Sequence, residues 1–272
     1  MHQRLSGPQS KQENPSNFDN AQFLLQFFKY TILKGPHIHK EVRIVREMAQ
    51  LLKSGAAPDR ETPRGSGEGV LLIPGLAAGD YTLSFLRHYL SLAGYKTYAS
   101  GIVSNVLPAD TILPSLEEKI DLIYAETGKK VSIVGHSLGG AMGKLLSDRK
   151  PDKVQQVIGL GPVFNQYIGI SPSLFCIMLP IAAYDIARFG REILEKELGL
   201  FKGLSKPAKV PLSSIYSKSD GVLTFKSCMR GDSENYEVNS THVGMAVNKE
   251  VFKLVAELLH KGYKAPKARI HY

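Results

Sequence analysis

Ser137 sits in the run Gly135-His136-Ser137-Leu138-Gly139, a spacing that suits a serine held at the apex of a tight turn. A serine hydroxyl is a poor nucleophile near neutral pH, so such chemistry also needs a base in hydrogen-bond reach and a carboxylate to orient that base. Both partners must come from other parts of the chain. His242 is the candidate base: it lies in the loop Asn239-Ser240-Thr241-His242-Val243-Gly244, after the last predicted strand and ahead of the final helix. His2, His37, His39 and His88 precede the serine, His260 falls on a terminal helix and His271 in the tail. His136 belongs to the turn itself, where it packs or supports the loop and is expected to point away from the base position. Asp220 is the candidate acid, because it follows a predicted strand through Ser217-Lys218-Ser219, whereas the stretch after the preceding strand, Gly161-Pro162-Val163-Phe164-Asn165, offers no carboxylate.

The elements around Ser137 must deliver its oxygen outward. Val131 to Val134 form an apolar strand leading into the turn, and Ala141, Leu145 and Leu146 mark a helix leading out. Side chains two residues either side of the serine would collide with the neighbouring strand and helix, which accounts for Gly135 and Gly139. The backbone N–H of Leu138 then points from a helix N-terminus, where negative charge is favoured. Leu138 is therefore one candidate donor to an oxyanion.

The segment VSIVGHSLGG resembles the strand and nucleophile elbow of bacterial lipases and esterases in the α/β-hydrolase superfamily, as do IYSKSDGV and STHVG further on. The likeness in element order runs from about Val70 to the closing helix. It implies an α/β-hydrolase fold and a carboxylester hydrolase, esterase or lipase, with the catalytic residues in the chain order serine, acid, histidine, here Ser137, Asp220 and His242. It also implies a second oxyanion donor after the first core strand, which by match is Leu76 in Ile73-Pro74-Gly75-Leu76-Ala77-Ala78-Gly79. Pro74 stands where similar lipases often carry histidine, so whatever pins this loop differs here. An acyltransferase or thioesterase with the same triad, and a non-catalytic binding protein on the same fold, are the alternatives. No metal or organic cofactor is expected.

Short apolar runs alternate with longer helical ones: strands at Val70–Ile73, Tyr95–Ala99, Val131–Val134, Val154–Leu160, Leu212–Tyr216 and Tyr236–Val238, and helices at Tyr81–Ala93, Pro114–Thr127, Leu138–Arg149 and Val247–His260. The pattern predicts a mostly parallel, doubly wound α/β sheet. Ser115 and Glu118 have capping-box spacing for the helix from Pro114. From about 162 to 210 the alternation lapses into an apolar stretch and an amphipathic run, as expected of an inserted helical cap. Its Phe164, Leu174, Phe175, Ile177, Met178 and Leu179 either line an acyl pocket or pack the cap on the core. Upstream, residues 1–17 are polar and expected to be disordered. Residues 18–55 carry Phe23, Phe27 and Tyr30, then Val42, Val45, Ala49 and Leu52, at helical spacing, as expected of a helical extension with two helices broken at Gly35 and Pro36. The catalytic domain is expected over 56–272.

Composition sets the frame. Of 272 residues, 43% are hydrophobic and 22% charged, enough apolar material for a packed core. The formal charge of +9 is spread along the chain, and its densest run, Lys261, Lys264, Lys267 and Arg269, is read as a solvated tail with peripheral contact to anionic lipid as the alternative. No nucleic-acid motif is present, so the expected partner is a small-molecule or lipid ester. Nothing approaches the roughly 18 consecutive apolar residues of a membrane span, and the polar start does not read as a leader, so a soluble cytoplasmic protein is expected. Cys176 and Cys228 lack metal-ligand spacing and are read as free thiols, with a single bridge as the alternative.

Overall fold

The computed structural model describes residues 37–164 and 171–264. Six strands form one sheet: β1 (Gly69–Ile73), β2 (Lys96–Ala99), β3 (Val131–His136), β4 (Val154–Leu160), β5 (Leu212–Tyr216) and β6 (Glu234–Glu237). Their order is β2-β1-β3-β4-β5-β6, and every neighbouring pair is parallel. Strands β1, β3 and β5 are buried at every residue, which is why they read as unbroken apolar or small-residue runs. The edge strands are Lys-Thr-Tyr-Ala and Glu-Asn-Tyr-Glu, whose charged residues discourage pairing with another chain.

Alternation along the strands divides the core. Leu71, Ile73, Ile133 and Val157 face α3 (Ala109–Thr127) and α4 (Leu138–Arg149) through Leu116, Ile120 and Met142. Val70, Leu72, Val134 and Ile158 face α2 (Ser84–Leu92) and α7 (Lys249–Lys264) through Leu86, Leu90, Phe252 and Val255. The chain leaves β1 toward β2 and then crosses back to place β3 on the opposite side of β1. This reversal opens a crevice at the carboxyl ends of β1 and β3, the usual place for a site in an open α/β sheet.

Two features depart from the sequence pattern. The helix expected from Pro114 begins at Ala109, five residues earlier, with Pro114 inside it; the Ser115 hydroxyl donates to the Ile112 carbonyl at 2.8 Å instead of capping a terminus. In α1 (Ile44–Ser54), entered through a 3-10 turn at Ile38–Arg43, the expected apolar row faces outward, with Val42, Val45 and Leu52 each about two-thirds exposed or more. The inner face is Ile44, Glu47, Met48 and Leu51, also at helical spacing, with a carboxylate in the middle of it. The first expected helix of that extension lies outside the described residues, as do residues 1–17.

Between β4 and β5 stand α5 (Pro172–Phe189) and α6 (Glu192–Leu204). Arg230 ties both ends of this insertion to the sheet. Its guanidinium donates to the carbonyls of Phe164, Leu204 and Lys206 and pairs with Asp232, whose carboxyl it holds down at about 2. Lys144 of α4 is fully buried, donating to Asp148 at 2.6 Å and to the Gly203 carbonyl of α6 at 3.0 Å. Leu174 and Met178 pack on the core and Phe164 is buried, whereas Leu179 is half exposed; the side chains of Phe175 and Ile177 lie outside the described residues. Cys176 and Cys228 are both free, and burial pushes the Cys228 thiol up. In the basic run, Lys261 pairs with Glu234 at 2.6 Å, and Lys267 and Arg269 lie outside the described residues. Among the described residues no helix is long and apolar enough to cross a membrane.

Candidate active site

Strand β3 ends at His136, and Ser137 follows at φ 53°, ψ −118°, before α4 begins at Leu138. This is a positive-φ backbone that residues with a side chain rarely adopt, and it sits at the head of the crevice. Its amide donates to the Leu160 carbonyl at 2.9 Å, and its carbonyl accepts from Gly140 at 2.9 Å. The flanking glycines are required by contact. A side-chain carbon at Gly139 would strike the carbonyls of Ile73 and Pro74, and one at Gly135 the backbone of Gly139 and Gly140. The turn thus needs small residues at both positions for β1, β3 and α4 to close on one another.

The loop after β1 passes directly beside the serine, such that a side-chain carbon on Gly75 would lie 3.1 Å from Ser137 Cβ. Asn105 holds this loop. Its side-chain amide donates to the Pro74 carbonyl at 2.9 Å, its backbone carbonyl accepts from Ala77 at 2.9 Å, and its backbone N–H donates to Ala78 at 2.8 Å. Asn105 is fully buried, and Ala77 takes φ 56° between these ties. The restraint on the Pro74 loop thus comes from a residue 31 positions further along the chain. Among the described residues, neither the Leu76 nor the Leu138 amide donates to a protein acceptor.

Asp220 and His242 come together at the same end of the sheet. Asp220 follows β5, and its Oδ1 accepts from the amides of Val222 and Leu223, each at 2.7 Å, leaving Oδ2 2.6 Å from His242 Nδ1. Both side chains are almost completely buried. The imidazole rests on Gly161, where an added side-chain carbon would come 2.9 Å from Nδ1. Gly161 follows Leu160, the residue that accepts from the Ser137 amide, so serine and imidazole occupy neighbouring strand ends. Among the described residues Ser137 Oγ makes no hydrogen bond, so the expected contact of this serine with His242 is not formed in this structure.

Two histidine rings meet here, so His136 does not point away from the base position as expected but lies against His242. The ring of His136 lies 4.9 Å from that of His242, and its Nε2 donates to the His242 carbonyl at 2.9 Å. Burial, helped by repulsion from His242, holds His136 down at about 4, so it remains neutral at pH 7. For His242, burial alone would depress the pKa. The charge and hydrogen bond of Asp220, with the charge of Glu41, outweigh burial and carry it above the ordinary histidine value.

Glu41, Glu47 and Asn105 are absent from the sequence-based assignment of the site. Glu47 had a legible signal, since it shares the spacing of Ile44, Met48 and Leu51. Asn105 and Glu41 had none, because each acts on loops far away in the chain.

No family model matches the sequence, and no curated protein matches it. Solved structures do match. A monoacylglycerol lipase from Paleococcus ferrophilus is 18% identical over 73% of this chain and 97% of its own, with a TM-score of 0.51. A Bacillus licheniformis lipase in its mature form is 16% identical over 74% of this chain and 96% of its own, at 0.54. A soluble variant of the Saccharomyces cerevisiae monoglyceride lipase, bound to a substrate analog, is 15% identical over 74% and 89%, at 0.52. The chain has the α/β-hydrolase fold. At these identities the likeness is one of architecture.

Proposed function

We propose that this protein is a serine carboxylester hydrolase that cleaves acyl esters through an acyl-enzyme on Ser137. The observation that carries the reading is the 2.6 Å contact of Asp220 with His242 beside a serine in a strained turn. With Nδ1–H given to Asp220, the imidazole presents Nε2 as the basic nitrogen. His242 takes the Ser137 proton as the oxygen attacks the ester carbonyl, while the amides of Leu76 and Leu138 stabilise the negative oxygen of the tetrahedral intermediate. The imidazolium returns that proton to the leaving alcohol. Water, deprotonated by the same His242, then attacks the acyl-enzyme, and collapse releases the acid and restores the Ser137 hydroxyl.

That monoacylglycerol and monoglyceride lipases are among the structural neighbours supports an ester with a hydrocarbon acyl chain as the substrate. Ser137→Ala is expected to reduce p-nitrophenyl butyrate turnover by about 10³-fold or more while leaving the melting temperature near that of the parent. Undiminished turnover in that variant would refute the reading.

A further inference from the structure

Asp220 and His242 reside on loops that leave the paired parallel strands β5 and β6, so the sheet sets the loops side by side, and contacts beyond the last strand pair, Tyr216 with Glu237, fix how they meet. Glu41 joins them. From the 3-10 turn ahead of α1, its Oε1 accepts from the amides of Gly221 at 2.8 Å and His242 at 3.0 Å, and its Oε2 accepts from Val243 at 2.9 Å. A single carboxylate therefore holds the residue after the acid, the backbone of the base, and the residue after the base. Glu47 adds a second hold on the same loop, accepting from the Thr241 amide at 2.9 Å and its hydroxyl at 2.7 Å. The Thr241 hydroxyl in turn accepts from the Gly244 amide at 3.0 Å, and a side chain at Gly244 would run into the Glu47 carboxylate. Glu47 is buried, which is costly for a charge unless it is fully paired, whereas Glu41 is partly exposed. Here backbone amides and a hydroxyl, none of them cationic side chains, receive both carboxylates. Such charge-assisted bonds are stronger than neutral ones and fix position closely.

We propose that Glu41 is a positioning residue for the hydrolytic reaction: the N-terminal extension clamps the Asp220 loop to the His242 loop, and Glu41 sets where the imidazole stands relative to Ser137. The inference rests on the hydrolase reading for its kinetic consequences, but the clamp itself is independent of the substrate. The charged and titratable groups facing His242 are Asp220 from the loop after β5, His136 from the end of β3 and Glu41 from the extension. Glu47 lies one residue away at Thr241, Arg43 of the extension binds Asn239 at 3.1 Å, and Cys228 lies near Asp220. Among the described residues, Asp220 and Glu41 are the carboxylates close enough to favour the imidazolium.

The test uses the full chain carrying Glu41→Ala, Glu41→Asp or Glu41→Gln, with p-nitrophenyl butyrate kinetics, thermal melts and an NMR titration of the His242 ring. Glu41→Ala is expected to lower kcat by about 10- to 100-fold with KM changed about twofold at most, and Glu41→Asp to restore part of the loss. Glu41→Gln keeps the shape but loses the charge and one acceptor, so the acidic limb of kcat/KM and the His242 titration should both move to lower pH, by about 0.5. If Glu41→Ala does not fold, Glu41→Gln is judged on the same readouts. A fall in melting temperature with kcat and the acidic limb unchanged would overturn the proposal. If the parent shows no Ser137-dependent turnover, the hydrolase reading fails, and the His242 titration decides the clamp alone: a shift in Glu41→Gln supports it, and an unchanged midpoint sinks it.

Discussion

His136 Nε2 donates to the carbonyl of His242 at 2.9 Å, so the residue preceding Ser137 holds the backbone of the residue whose ring is paired with Asp220. Replacing His136 with Phe removes that buried hydrogen bond, a loss of about 1 kcal/mol that a denaturant melt at pH 7 would register. The same residue gives stability a pH dependence. With His136 held at about 4, the unfolded chain binds a proton below about 6.5 that the folded chain refuses, so stability falls as pH drops from about 6.5 toward 4, by about 3 kcal/mol when complete. His242 works in the opposite sense: its raised pKa contributes stability fully below about 6.5, which is lost as pH rises through the folded value. The melting temperature of His136→Phe should therefore decline less steeply than the parent's across pH 6.5 to 4. Parallel slopes would show that His136 takes up its proton without unfolding.

Activity should follow the base. Because Asp220 and Glu41 carry His242 above the ordinary histidine value despite burial, the acidic limb of kcat/KM is expected to have its midpoint above about 6.5, with activity falling as pH drops and the imidazole protonates. Asp220→Asn preserves the shape but places an amide against Nδ1, favouring the wrong tautomer. It is expected to cost about 10³- to 10⁴-fold in kcat. A profile flat down to pH 5, or an Asp220→Asn enzyme of near-parental kcat, contradicts the role assigned to this pair.

The loop after β1 makes a third prediction. Asn105→Ala releases the Pro74 carbonyl and loosens the turn carrying Leu76, so kcat should fall about tenfold through a misplaced oxyanion donor, with KM nearly unchanged. Steady-state kinetics on two p-nitrophenyl esters would check it. A lowered melting temperature with unaltered kcat would make Asn105 a fold residue alone.

Much of this arrangement is legible in the amino-acid order, for reasons that differ by element. The central strands announce themselves because burial on both faces leaves little room for anything but apolar or small residues. The elbow is legible because Gly135 and Gly139 answer local collisions. Asp220 and His242 follow from position relative to those strands. The inward face of α1 misleads, since Val42, Val45, Ala49 and Leu52 match a buried row as well as Ile44, Glu47, Met48 and Leu51 do. What decides between them is Thr241, some two hundred residues away, whose amide and hydroxyl receive the Glu47 carboxylate. Pro114 misleads in a similar way: proline suits a helix start, but helix α3 extends upstream of it because Ala109, Ile112 and Leu113 have a buried face to fill.

Covalent labelling tests the central claim most directly. Incubated with a fluorophosphonate probe, the parent protein should gain one adduct by intact mass, mapped by peptide sequencing to Ser137, with the rate sharply lowered in Asp220→Asn and the adduct absent from Ser137→Ala. A parent that stays unlabelled, or a Ser137→Ala protein that labels as the parent does, would contradict it.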